Sequence, residues 1–102
     1  MTVWKNASQG DKRLLHAISI LLKNYPYLLD FVFDPHEPEL SQSSDRLRRE
    51  AGALSSGESL LVRLAMDLWN ESGDVKFTEL DRLDSSNFEN VMTAVRYLKG
   101  GV

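Results

Sequence analysis

An all-α (mainly α) fold, a compact bundle of about five helices around a central apolar helix at residues 56–70, is what this sequence predicts. Three observations carry that expectation. Apolar residues recur at spacings of three and four through most of the chain, which is the repeat of one helix face. Prolines, glycines and serine–acid pairs fall at the joints between these stretches, where helices start and stop. The third is composition: 102 residues, 42% hydrophobic and 26% charged. That is ordinary globular usage, enough for one core and too short for two. The expected organisation is a single helical domain, 1–102.

In the first helix Leu14, Leu15, Ile18, Leu21 and Leu22 form one stripe. Ser8 with Asp11 caps its start, and Pro26 ends the pattern because the residue before a proline avoids helical dihedrals. Pro26 to Phe33 then reads as a short helix with proline at its first position. Its aromatic and β-branched content also permits a short strand. The closely spaced Pro35 and Pro38 make 34–38 an irregular turn. After the polar run 41–44 comes a charged helix from Asp45 to Ala53, with Asp45 and Arg49 four apart and placed to pair.

Ser55 and Glu58 match the capping box and open the most apolar element of the chain. Between residues 56 and 70, Leu60, Leu61, Val62, Leu64, Ala65, Met66, Leu68 and Trp69 cover most of the helix circumference. Only Ser59, Arg63, Asp67 and Asn70 share a narrow polar strip. Such a helix belongs at the centre of the bundle. Gly73 is expected to close it. A short helix runs to Leu83, and Asp84 caps a last helix from about Ser85 to Lys99. Phe88, Val91, Met92, Val95 and Leu98 are expected on its inner face, and Gly100-Gly101 stops it.

The charges, 12 Lys plus Arg against 15 Asp plus Glu, give −3, which lowers the odds of a phosphate-binding role. There is no cysteine, so disulfides, thiolate ligands and cysteine nucleophiles are excluded together. Residues 1–6 lack the basic start and apolar run of a signal peptide. No apolar stretch approaches the roughly 20 residues needed to span a bilayer. A cytoplasmic location is expected.

Little chemistry is legible. His16 lies opposite the leucine stripe and His36 in the proline turn, neither with a metal-ligand partner at helical spacing. The serines at 41–44, 55–56 and 85–86 are explained by capping. No phosphate loop or nucleophile elbow is present. The expectation is no enzyme, no cofactor and no metal. Gly73, Val75 and Glu79, with Asn70 and Ser72, resemble the second half of an EF-hand calcium loop. In that register the first ligand position is Leu68, which offers no oxygen.

Residues 58–102 resemble a helix-turn-helix regulator, with Phe77-Thr78-Glu79-Leu80 opening one helix, Leu83-Asp84-Ser85 as the turn, and Val91, Val95 and Leu98 turned inward. That resemblance implies a DNA-reading face of Asn90, Thr93, Arg96 and Lys99. It has few cations, and Glu89 would repel phosphate. Arg46, Arg48 and Arg49 point to different sides of their helix and read as solvated surface. Residues 54–101, with Leu-Ser-Ser-Gly-Glu, Leu-Ala-Met-Asp-Leu-Trp-Asn and Leu-Asp-Ser-Ser-Asn-Phe, resemble small bacterial proteins of unknown function, some near mobile elements. That resemblance implies a bacterial or phage cytoplasmic protein and carries no functional motif.

The function expected from the sequence is a non-enzymatic protein-interaction module, a small regulator or inhibitor. Its candidate interface is the aromatic segment Tyr25, Tyr27, Phe31 and Phe33, which is more aromatic surface than so short a segment hides easily. The partner is a protein, in the simplest version a second copy of the chain. The alternative is a helix-turn-helix DNA-binding transcriptional regulator. No membrane partner is expected.

Overall fold

The computed structural model describes residues 4–100. Residues 1–3, read above as part of an N-terminus without a leader, and Gly101, read as part of a helix stop, lie outside them. The helices are α1 (Gln9–Leu21), α2 (Leu28–Val32), α3 (Ser44–Ala51), α4 (Ser56–Asn70), a 3-10 helix (Phe77–Arg82) and α5 (Ser85–Gly100). Strand pairing among the described residues is limited to one antiparallel bridge between Phe33 and Leu40. The mainly α expectation holds. The segment 26–33 divides its two tendencies, a helix of five residues and then the extended Phe33.

The anticipated cap at Ser8 and capping box at Ser55 both form, the first as a capping box too. Ser8 Oγ accepts from the Asp11 amide at 3.0 Å while the Asp11 carboxylate accepts from the Ser8 amide at 3.2 Å. Ser55 and Glu58 repeat the exchange at the start of α4. These pairs satisfy amides that a helix leaves free at its first turn. Asp84 likewise accepts from the Asn87 amide at 2.8 Å and opens α5. In α3 the capping residue is Ser43, and Asp45 pairs with Arg48 rather than Arg49.

Helix α4 is the hub, in contact with α1, α2, α3 and the 3-10 helix. Leu60, Leu61, Val62, Ala65 and Met66 are buried along it. Around them close Ala17, Ile18, Leu21 and Leu22 from the first helical segment, Leu28, Val32 and Phe33 from the second, and Leu47 and Ala51 from α3. Trp4, Phe33 and Trp69 add a triangle of aromatic rings with centroids 5.2–5.4 Å apart. The Trp4 indole N–H donates to the Asp34 carbonyl at 2.9 Å, which ties the start of the described chain to the proline turn.

Helix α5 lies antiparallel on α1. At one end the Arg13 guanidinium donates to the Leu98 carbonyl. At the other, the Asn24 side chain donates to Asn87 Oδ1 at 3.0 Å and Ser86 Oγ at 2.9 Å. The residues α5 buries are Asn87, Val91 and Ala94, a row at i, i+4 and i+7. Of the expected inner face, Val91 is buried and Met92 and Leu98 pack half-buried against the core, while Phe88 and Val95 do not. Val95 is 43% exposed and Phe88 is 38% exposed, both on the open side. The small Ala94 sits against α1 in their place, and Phe88 and Val95 are left on the open side.

The end of α4 also differs from expectation. The left-handed residue after the helix is Glu71, at φ 62°. Gly73 serves another purpose, since a β-carbon there would stand 1.8 Å from the Arg63 carbonyl oxygen. It is glycine because its backbone lies directly against α4.

Candidate functional site

The polar strip of α4 holds the connection to the 3-10 helix. Asp67 accepts from the Gly73 amide at 2.7 Å and from the Val75 amide at 3.2 Å. Arg63, one turn earlier, donates to the Gly73 carbonyl at 3.1 Å and to the Asp74 carbonyl. It then makes a bidentate pair with Glu79 at 3.0 and 3.1 Å. Glu79 is 16% exposed at the side chain, and it also receives the Lys76 amide at 2.9 Å. The Arg63 hydrogen bonds, followed by that amide, lower its pKa to about 2. A fork-to-fork pair of this kind fixes direction as well as distance. The residues that resemble a calcium loop are thus committed elsewhere, Glu79 to Arg63 and Asn70 to Ser72.

This latch sets the 3-10 helix beside the start of α5 and leaves a groove between them. The groove is open, has a volume of about 740 Å³, and is lined by Phe77, Thr78, Leu80, Asp81, Leu83, Ser85, Phe88 and Glu89. Phe77, Leu80 and Leu83 are spaced by three, so they stack along one edge of a 3-10 segment. Leu80 and Leu83 are half-buried. Phe77 is 86% exposed, the barest of the exposed large hydrophobic residues in the described chain. Phe88 forms the opposite wall. Both charged residues in the lining are acids.

Sequence reasoning passed over Phe77 as the first residue of a helix. The signal was present in the three-residue spacing of Phe77, Leu80 and Leu83, which a 3-10 repeat stacks in one row. The aromatic segment singled out instead does not form one exposed face. Phe33 is fully buried, packed on Trp4 and Trp69. Tyr25 and Phe31 are half-buried against the core. Only Tyr27 of the four is open, at 58% exposed. Its hydroxyl donates to the Glu58 carboxylate, which raises the phenol's pKa and lowers that of the acid.

The residues of the DNA-reading face do share α5, but not as a free surface. Asn90 is half-buried, and its Nδ2 is enclosed with no hydrogen-bond partner among the described residues. Thr93 is exposed and donates its hydroxyl to the Glu89 carbonyl at 2.8 Å. Arg96 is exposed and lies 3.7 Å from the Glu89 carboxylate, and Lys99 is exposed in the last turn. His16 is exposed with its ring 4.7 Å from that of Tyr97, and His36 is exposed in the turn that Asp34 closes by accepting two amides. Among the described residues no group of three or more histidines and acids is placed to hold a metal ion. None of the described helices is long and apolar enough to cross a membrane.

Comparison with protein-family models, with curated proteins and with solved structures gives no match.

Proposed function

We propose that this chain is a non-enzymatic protein-interaction module that docks its partner in the groove between the 3-10 helix and α5. The observation that carries the reading is Phe77, an aromatic ring 86% exposed on a segment that Arg63, Asp67 and Glu79 hold in place. Burying such a ring in a partner gains about 1.5–3 kcal/mol, and a backbone already held in position loses little freedom on binding. Phe88 supplies a second anchor across the groove, and aromatic anchors dominate interface energetics. The lack of cysteine suits a reducing compartment, and a cytoplasmic regulator or inhibitor of bacterial or mobile-element origin belongs to the same reading.

The test uses the intact chain as bait, in wild-type form and as Phe77→Ser and Tyr27→Ala. Protein partners captured by wild type and by Tyr27→Ala, and lost with Phe77→Ser, support the groove. Capture that survives Phe77→Ser and fails with Tyr27→Ala moves the interface to the aromatic segment and ends the groove reading.

The exposed Arg96 and Lys99 favour the second reading, a DNA-binding regulator. Glu89 beside Arg96 and the enclosed amide of Asn90 weigh against it. That reading requires duplex binding that falls as salt rises and drops further in Arg96→Ala. A duplex affinity unchanged in that variant removes it.

A further inference from the structure

We propose that the occupant of the groove is a cationic amphipathic helix, with its apolar side chains between Phe77 and Phe88 and its Lys or Arg side chains against Asp81 and Glu89. This inference rests on the interaction reading above and adds the chemistry of the partner. Three observations support it. The groove floor and walls are apolar, through Phe77, Leu80, Leu83 and Phe88, while both of its charged lining residues are carboxylates. Asp81 and Glu89 are exposed, so a cation brought to them keeps part of its hydration and meets little desolvation cost. The apolar edge of the groove also runs along the 3-10 segment through Phe77, Leu80 and Leu83, about 12 Å at the 3-10 rise, long enough to meet two successive turns of a helix laid in a groove.

The cations near this face leave the preference intact. Arg82 is directed to Glu79 at 3.5 Å, and Arg96 meets Glu89 only loosely, at 3.7 Å between two side chains that are each about two-thirds exposed. A ligand lysine can take the place of Arg96 at little expense. The same acids argue against other occupants. A second copy docked groove to groove would set Asp81 and Glu89 against their own counterparts. Nucleic acid and anionic lipid would bring phosphates to a carboxylate rim. Like charges at an interface suppress the wrong partner more than they weaken the right one.

The experiment titrates the isotope-labelled intact chain with three 18-residue helical peptides that share one leucine face and carry Lys, Gln or Glu on the other. Backbone amide shifts locate each peptide. The expected result is binding of the Lys peptide with shifts centred on residues 77–89, and weaker binding of the Gln and Glu peptides in that order. Asp81→Asn with Glu89→Gln should cost the Lys peptide about fivefold and the Gln peptide nothing. Phe77→Ala should cost both about tenfold or more. Because Phe77 is 86% exposed, that variant leaves the core untouched. Equal binding of all three peptides in the groove would retain the groove and overturn the cationic partner. Binding that maps elsewhere, or no binding by any peptide, overturns this inference and the groove reading together. Shifts at residues 77–89 that appear on raising the protein concentration alone would assign the face to a second copy.

Discussion

At the scale of single residues, position 73 shows how a side chain can be excluded by what lies beneath it. The sequence presents Gly73 as a helix terminator, and it follows α4 closely enough to look like one. Its actual constraint is the carbonyl of Arg63, 1.8 Å from where a β-carbon would sit. Gly73→Ala should therefore destabilise the protein by about 2–3 kcal/mol, because two backbones must separate and no flexible side chain can yield instead. A denaturant midpoint measured for the purified variant checks this. A shift of only a few tenths would mean that the loop moves aside freely. Phe77→Ala makes the opposite prediction, a stability within about 0.5 kcal/mol of wild type, as expected of an exposed residue.

At the scale of elements, the Arg63–Glu79 ion pair is the link of the latch that reaches the 3-10 helix itself. Glu79 has a pKa near 2 in the folded protein against an ordinary value of 4.5. Above 4.5 it is ionised in both states and its contribution is fully present. As the pH falls below 4.5 the unfolded chain takes up the proton first, which favours unfolding, and the contribution is gone below about 2. Urea midpoints measured from pH 5 to pH 2 should fall more steeply for wild type than for Glu79→Gln. Equal slopes would mean that the pair holds no preference for the charged form. The other acids with lowered pKa values, Asp34, Glu50 and Glu58, remain in both proteins and cancel in the comparison.

Local signals made many of these elements legible in advance. Both capping boxes, the apolar α4 and the aspartate that opens α5 are written in residues within four positions of one another. What could not be read this way was how α5 seats. The apolar side chains on α5 pointed to one face from Phe88 to Leu98; Val91, Met92 and Leu98 do turn inward, but Asn87 and Ala94 join them in place of Phe88 and Val95, and only contact with α1 decides that. The far wall of the groove follows from that seating and was hidden for the same reason. The latch was hidden as well, because Arg63 and Glu79 stand sixteen residues apart and either one alone looks like surface charge.

At the scale of the whole molecule, α4 gathers α1, α2, α3 and the 3-10 helix, and two contacts reach across the chain. One is the aromatic triangle, in which Trp4 covers Phe33 and Trp69. Trp4→Ala should cost about 2–3 kcal/mol, less than a fully buried tryptophan because the ring is only half-buried. Thermal unfolding would measure it, and an unchanged midpoint would show that the segment before α1 is a passive strap. The aromatic cluster was not foreseen as a unit, since Trp4, Phe33 and Trp69 come from three separate parts of the chain.

The other long contact is the antiparallel pairing of α1 with α5, in which Arg13 meets Leu98 across 85 positions of sequence. A pairing so distant has a consequence for synthesis. During translation α1 emerges first and offers the side that will meet α5 to whatever is nearby, while its eventual cover has not yet been made. Residues 9–84 can begin to gather on α4, but the asparagine pair and the Ala94 seam must wait for residues 85–100. Closure is then a late step that joins the ends of a long loop, an entropic cost borne in one event. Until it happens, the nascent chain is more exposed to chaperones and proteases than the finished protein.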